Sequence, residues 1–392
     1  MARHRKGLRR WLDLKPRAHA AFSLVTRRSP AAARLLDFFP AFAVPSGLAW
    51  LHDDEIVAPM AAPRYAAELA RVSAHNRDIM TGRPGAPPFP RLRRVVWQAP
   101  EIYIPGRILQ PVDLAQGRVA STARTGPTNW SVTRPRPLRA APIRVEGRAV
   151  LVPRMKHYGH LLTDYLAPIA FAAHLGLISR ERPVTLVHAR DDNPVALRFA
   201  EGMLRLGLAS RVLPIGRGEG VLCDAYVCCE AVVGNGEHTY AMPEVTGLLR
   251  GIFAAAGEAP APPGAARVYL TRGDARLRRM EGEAELIALL RERGFSVFEA
   301  RWTNHAEQLA VFGGCDVLLG VHGAGIVNVV FGKPSARLIE IMADDGRKTT
   351  GLFWAACAGM DYTSILGGSE GDRQGFAIDA AEVARQVDAL LP

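Results

Sequence analysis

From residue 149 onward, short apolar runs alternate with longer stretches of helical period, and this alternation limits the possible folds more than any other feature of the chain. AVLVP (149–153), PVTLVHA, RVLPI and VLCDAYVCCE read as strands. HLLTDYLAPIAFAAHLGL (160–177), PVALRFAEGMLRLGL and EVTGLLRGIFAAAG read as helices. APAPPGAA (259–266) breaks the pattern and reads as a linker. The alternation then restarts. RVYLTR, FSVFEA, DVLLGV, ARLIEIM and YTSIL are predicted strands. EGEAELIALLRERG, NHAEQLAVFGGC, a stretch beginning at VNVVF and DAAEVARQVDALL are predicted helices. Strands alternating with helices predict a parallel sheet flanked by helices. Two such runs predict two Rossmann-like α/β domains facing a cleft. Ligands in open parallel sheets bind at the carboxyl ends of the strands.

The 392 residues suit two cores rather than one. The expected organisation is a basic segment 1–35, an α/β domain 36–258, the linker 259–266 and a second α/β domain 267–392. Residues 36–147 are the least readable, with Pro-rich turns and strand-like runs RRVVWQA and EIYIPG but no assignable chemistry. No fixed-period repeat is visible.

The net charge of +11 looks like a nucleic-acid signal until it is located. Residues 1–35 hold ten Lys or Arg against Asp13, so the remaining chain is close to neutral. That excludes a basic groove for nucleic acid. Trp11, Leu12, Leu14 and Phe22 sit among the cations, a composition suited to an anionic membrane surface or to a solvated tail. Asp13, Lys15 and Arg17 interrupt any signal-peptide core. No uncharged apolar run reaches membrane-spanning length. The expected location is cytoplasmic, at or near the inner membrane face. Five cysteines without C-x-x-C spacing indicate buried thiols in a reducing compartment and no zinc site.

GVHGAGIVNVVF (320–331) holds the most specific chemistry. It reads as strand, small-residue turn, then helix. The first amides of a helix lack intrahelical partners and favour an anion, which Gly323, Ala324 and Gly325 would let approach. His322 would donate to a phosphate or leaving-group oxygen, or be a core histidine. Asn328 would cap the turn or contact the ligand. A dinucleotide fingerprint fits poorly, because Asn328 replaces the last glycine and no acidic residue stands about 20 positions on. An α/β-hydrolase is excluded. GGSEG (367–371) would make Ser369 the nucleophile, yet no histidine follows it.

The stretch VYLTR…RRMEGEAEL…NHAEQL…VHGAGIVN…LIEI, in that order, resembles glycosyltransferase family 61. HLLTD (160–164) resembles the family's His-x-x-x-Asp segment. The resemblance covers about 240 residues, from roughly 148 to the end, and leaves out residues 1–90. Two departures stand out: Leu161 where the family often has an aromatic, and Gly282 where Asn usually precedes the glutamate, here Glu283.

The resemblance implies an inverting, GT-B-like enzyme with a nucleotide-sugar donor, a glycan or glycolipid acceptor of the bacterial surface, and no cofactor. Arg272, at the end of VYLTR, suits a pyrophosphate through its forked donors, and Arg279 is a second candidate. Glu340 would accept from the donor ribose hydroxyls. His160 and Asp164, one helical turn apart, are the candidates for the base that deprotonates the acceptor, with the choice between them open. Glu307 and Gln308 would be structural or contact the nucleobase. No D-x-D spacing exists, so no metal ligands are expected. Rival readings are a sugar-nucleotide epimerase, a pyruvyl-transfer enzyme and a non-catalytic nucleotide-sugar-binding module.

Overall fold

A computed structural model describes residues 142–391, apart from 156, 192, 217, 232–242, 258–265, 274–278, 346–347, 349 and 372–374, and also residues 49–50, 92–105, 112–113 and 118–119. The basic segment 1–35 and nearly all of the linker 259–266 lie outside the described residues.

The first half runs β1 (Ala49–Trp50), β2 (Leu92–Pro105), β3 (Val112–Asp113), β4 (Arg118–Val119), β5 (Ile143–Val152), α1 (Tyr158–His160), α2 (Ala167–His174), β6 (Val184–Ala189), α3 (Pro194–Arg205), β7 (Ala209–Ile215), β8 (Gly220–Ala231) and α4 (Pro243–Ala255). A six-residue π-helix, Leu161–Leu166, joins α1 to α2. The strands form one eight-stranded sheet ordered β4-β3-β2-β8-β5-β6-β7, with β1 on β2. β8, β5, β6 and β7 are parallel, as the alternation predicts, whereas β2 is antiparallel to β8.

RRVVWQA and EIYIPG are one strand, β2, broken in register between Gln98 and Ile102. β5 breaks between Val145 and Arg148. Both breaks face the same residue of β8, Asp224, whose Oδ2 accepts from the Gly147 amide at 2.7 Å. Gly147 has φ +83, where only glycine is at ease. Bulges bend strands. Beyond these two, Ile104, Val145, Val221 and Cys223 pack onto Leu151, Val187, Leu213 and Ile215. Among the described residues, the sheet's own strand ends pack on this face and helices pack on the other.

The second half runs β9 (Arg267–Thr271), β10 (Met280–Glu281), α5 (Glu283–Glu292), β11 (Phe295–Glu299), α6 (His305–Gly314), β12 (Val317–Val321), β13 (Arg337–Met342), α7 (Thr350–Ala358), β14 (Asp361–Leu366), β15 (Phe376–Ala377) and α8 (Ala380–Leu390). Its five-stranded sheet is wholly parallel, ordered β11-β9-β12-β13-β14. Counted in chain order that is 2-1-3-4-5, a doubly wound arrangement whose direction of winding reverses between β9 and β12. Tyr269, Leu319 and Ile339 pack under α5 and α8, while Val268, Leu318 and Leu338 face the other way.

Those latter residues join a core that also contains Val150, Phe199 and Phe253 of the first half and Phe312, Val330 and Trp354 of the second. The helices between the sheets therefore share one hydrophobic interior. Polar ties reinforce it. Arg250 of α4 donates from Nε to the Val330 carbonyl at 2.7 Å and from Nη2 to the Gly332 carbonyl at 2.6 Å. Burial holds its guanidinium pKa below the usual value. Thr246 Oγ1 donates to the Cys357 carbonyl at 3.1 Å.

The helix expected from VNVVF is a 3₁₀-helix, Ala324–Phe331. Its residues 326–331 are all buried, and four of them are β-branched, which disfavours α-helical packing. α7 escaped the sequence reading. Its residues TGLFWAACA are buried on every side, so no polar face marks the helical period. Cys223, Cys315 and Cys357 are buried free thiols, as their apolar contexts suggest. Burial pushes Cys223 up to about 12 and Cys315 up to about 11. The side chains of Cys228 and Cys229 lie outside the described residues. No helix among the described residues is long and apolar enough to cross a membrane.

Candidate functional site

The reversal between β9 and β12 brings two predicted segments together. Arg272 leaves the end of β9, and His322 and Gly323 leave the end of β12. Arg272 Nη1 donates to the His322 carbonyl at 3.0 Å. A methyl group on Gly323 would stand 1.4 Å from that nitrogen. Gly323 has φ 170, an extended backbone open to any residue, so its lack of a side chain serves the guanidinium and not the chain path. Gly325 is similarly pressed, with a hypothetical methyl 3.0 Å from Leu270 Cδ2. The small residues of HGAG therefore let a strand-end arginine lie across the turn.

Arg272 is held from behind. Glu283, the first residue of α5, accepts at Oε1 from Tyr269 Oη at 2.9 Å, Thr271 Oγ1 at 2.9 Å and the Arg272 amide at 3.4 Å. Burial and the Glu283 charge push the Tyr269 hydroxyl pKa far above its ordinary value. Gly282 precedes Glu283 at φ +92. Glycine, with no Cβ, takes that left-handed conformation without strain.

His322 has its own brace. Its Nδ1 stands 2.7 Å from Glu340 Oε1, with side-chain exposures of 13% for the histidine and 0% for the glutamate. A carboxylate can only accept, so Nδ1 donates to it, and Nε2 donates to an anion when it too carries a proton, as in the imidazolium. Tyr362 Oη donates to Glu340 Oε2 at 2.7 Å. Gly351, in the first turn of α7, would place a methyl 2.3 Å from the same oxygen, so the carboxylate abuts a helix N-terminus that favours its charge. Glu340 is thus sealed beneath His322, with its oxygens engaged by protein groups. It does not present the open carboxylate expected for a ribose.

Asn328 is fully buried as well. Its Oδ1 accepts from the Tyr158 hydroxyl of α1, and its Nδ2 donates to Gln308 Oε1 at 2.7 Å. Gln308 Nε2 donates in turn to Asn304 Oδ1 at 3.0 Å and to the Arg301 carbonyl. The motif's asparagine and the Gln308 of the Glu-Gln pair therefore meet each other and the first half, not open solvent. Glu307 is exposed.

The acceptor-side candidates follow β5. Gly159 lies against the turn, where an added methyl would be 3.5 Å from Ala324 Cα and Cβ. On either side of it, His157 and His160 hold their rings 4.5 Å apart. His157 Nδ1 accepts from the His160 amide at 3.4 Å. His160 is half-buried and His157 exposed. Asp164 lies in the π-helix, and its side chain is outside the described residues. Short π-helical turns inside helices recur at functional sites. Thr163 Oγ1, inside the same turn, donates back to the Gly159 carbonyl at 2.9 Å.

The fold thus gathers Arg272, His322, Gly323, Ala324 and Gly325 at one crevice and sets His160 beside it through Gly159. Arg279 is exposed just before β10, and its carbonyl accepts from the Phe376 amide at 3.0 Å. Sequence reasoning missed His157, Tyr158, His305 and Tyr362. The run HYGH, with three ring-bearing residues at a helix start, was the one available signal. Tyr362 reaches Glu340 only because β13 and β14 pair, which no local pattern reveals. Among the described residues, no three His, Cys, Asp or Glu side chains converge as a metal site would require.

The sequence matches the protein family described as Glycosyltransferase 61 over residues 158–339, which spans α1, the β9 arginine and the HGAG turn. No curated protein sequence matches the chain.

Proposed function

Because this chain belongs to glycosyltransferase family 61 through residues 158–339, and is a glycosyltransferase, we propose that the crevice between β9 and β12 holds the diphosphate of a nucleotide-sugar donor. The observation that carries this reading is the pairing of two donors at the winding reversal: the Arg272 guanidinium, held on the His322 carbonyl, and the His322 ring, held by Glu340. Open α/β sheets bind ligands at that point. A fixed guanidinium, an imidazole and the turn amides favour the negative charge that grows on a departing diphosphate, without rearranging as it grows.

We read the enzyme as inverting and GT-B-like, with residues 36–258 on the acceptor side and 267–392 on the donor side. His160 or Asp164 takes the proton from an acceptor hydroxyl as that oxygen attacks the sugar carbon opposite the leaving phosphate. The acceptor is a glycan or glycolipid of a bacterial surface polymer. Catalysis proceeds without a metal, the Arg and His groups supplying the positive charge. Glu340 acts through His322 and does not touch the ribose, and Asn328 and Gln308 hold the frame.

A thermal-shift screen of UDP, GDP, CDP and ADP and their sugars tests the donor class. The matching nucleotide at 100 times its Kd should stabilise the protein by about 2.7 kcal/mol. Sugar transfer from that donor should persist in excess EDTA. Abolition by EDTA with rescue by manganese contradicts the metal-free diphosphate site. Residues 1–35 are proposed to attach the enzyme to anionic membrane, so deletion of residues 1–30 should remove salt-sensitive sedimentation with phosphatidylserine vesicles. Undiminished sedimentation contradicts that role.

A further inference from the structure

We infer that Tyr158 is a positioning residue that sets His160 in register with the donor crevice, an inference that rests on the site reading above. Tyr158 opens the first turn of a continuous helical stretch that runs through the π-turn into α2, so its placement sets where that stretch begins. Its hydroxyl enters the second half of the molecule. It donates to Asn328 Oδ1 and lies 3.2 Å from His305 Nε2.

The amides and the hydroxyl of this junction have their directions set by their neighbours. The Arg301 amide donates to Asn304 Oδ1 at 2.8 Å, and Asn304 Nδ2 donates to the Glu299 carbonyl at 3.0 Å. That fixes the Asn304 amide. Gln308 Nε2 donates to Asn304 Oδ1, so Gln308 Oε1 must accept, and it accepts from Asn328 Nδ2. Asn328 Oδ1 is left to accept from Tyr158. The single hydroxyl proton is then committed, so His305 must carry its proton on Nε2 and donate to the Tyr158 oxygen.

Asn328, Gln308 and His305 are 0%, 2% and 3% exposed. The His305 ring is held 5.1 Å from the Phe253 ring and 6.1 Å from that of Phe331. Polar chains at such depth are strongly directional, because no water replaces a lost partner. The consequence for chemistry is geometric. His160 is two residues beyond Tyr158, and Gly159 between them touches Ala324 of the turn. The hydroxyl therefore fixes where an acceptor-side group stands relative to the leaving group. Displacements near 1 Å in such placements cost up to about a hundredfold in rate.

The test is Tyr158→Phe in the full-length chain, alone and combined with His160→Ala. Turnover is read with radiolabelled donor, nucleoside diphosphate affinity by calorimetry with the UDP, GDP, CDP and ADP panel, and folding by near-ultraviolet circular dichroism. Tyr158→Phe keeps the ring, and should fold, bind nucleotide within twofold of wild type and lose about tenfold or more in kcat. In the His160→Ala background the same change should have no further effect on the residual rate, because the residue it positions is gone. An unchanged kcat, or an equal loss in both backgrounds, overturns the inference and marks Tyr158 as structural only. Normal turnover by His160→Ala alone removes His160 from the chemistry and sinks this inference, while leaving Asp164 as the base of the site reading. A crippled His160→Ala beside a normal Tyr158→Phe sinks this inference alone.

Discussion

The two halves of the molecule place their functional segments by one topological rule and then furnish them differently. In the first sheet β5 lies between β8 and β6, and in the second β9 lies between β11 and β12. Each is the first strand of its parallel set in chain order, and the chain leaving its carboxyl end carries a candidate group: the His157–His160 run after β5, and Arg272 after β9. The chain after β5 meets the turn after β12, across which Arg272 lies, where Gly159 faces Ala324. On the proposed donor side the Arg272 guanidinium is held on the His322 carbonyl and the His322 ring by Glu340. On the proposed acceptor side two histidine rings, tilted at 45° and 4.5 Å apart, are partly exposed at the start of a helix that widens into a π-turn. A diphosphate is a constant feature of donors and suits a rigid cradle. Acceptor sugars vary more, and a less constrained surface suits them.

If that contrast is real, damage on the two sides should separate kinetically. The largest effect is expected on the acceptor side. Removing the base lowers turnover by about 10²–10⁴-fold. His160→Ala and Asp164→Asn should divide this loss between them, with nucleotide affinity near wild type in both. Loss confined to His160→Ala makes His160 the base and leaves Asp164 at most orienting it. Two variants that fold and turn over normally place the base elsewhere, with residues 91–147 the first place to look.

A smaller effect, of a different kind, is expected beneath the donor side. Glu340→Gln keeps the shape but removes the charge that His322 meets at 2.7 Å. Hydrogen bonds to charged groups contribute about 1.5–3 kcal/mol, so urea unfolding should report a stability loss in that range. Nucleotide affinity should weaken with it, because the imidazole loses its orientation. A Glu340→Gln protein with wild-type stability would return Glu340 to the ribose-contact role that the sequence alone implied.

These predictions mix residues that were readable from the sequence with residues that were not. The parallel strands were legible because strands buried on both faces are continuous apolar runs, and VTLVHA of β6 is buried at every position. Arg272 and the HGAG turn were legible because each directly follows such a run. Partnerships across elements were not. Nothing local shows that Asn328 faces Tyr158, that Glu340 lies sealed under His322, or that Glu283 grips the end of β9. Each depends on strand order and on how far apart the layers stand. The π-turn was invisible for another reason: Leu162, Leu166, Ile169 and Ala170 fall at i, i+4, i+7 and i+8, an ordinary helical period, so the apolar pattern gave no sign of the wider turn.

The central claim is that the donor diphosphate binds over Arg272 at the β9–β12 reversal. Isothermal titration of wild type and Arg272→Ala with the nucleoside diphosphate selected by thermal shift tests it most directly. The account predicts a Kd raised at least tenfold, a loss of about 1.4 kcal/mol. It also predicts an unfolding transition as cooperative as that of wild type. Equal affinity in the two proteins would contradict the placement of the donor site.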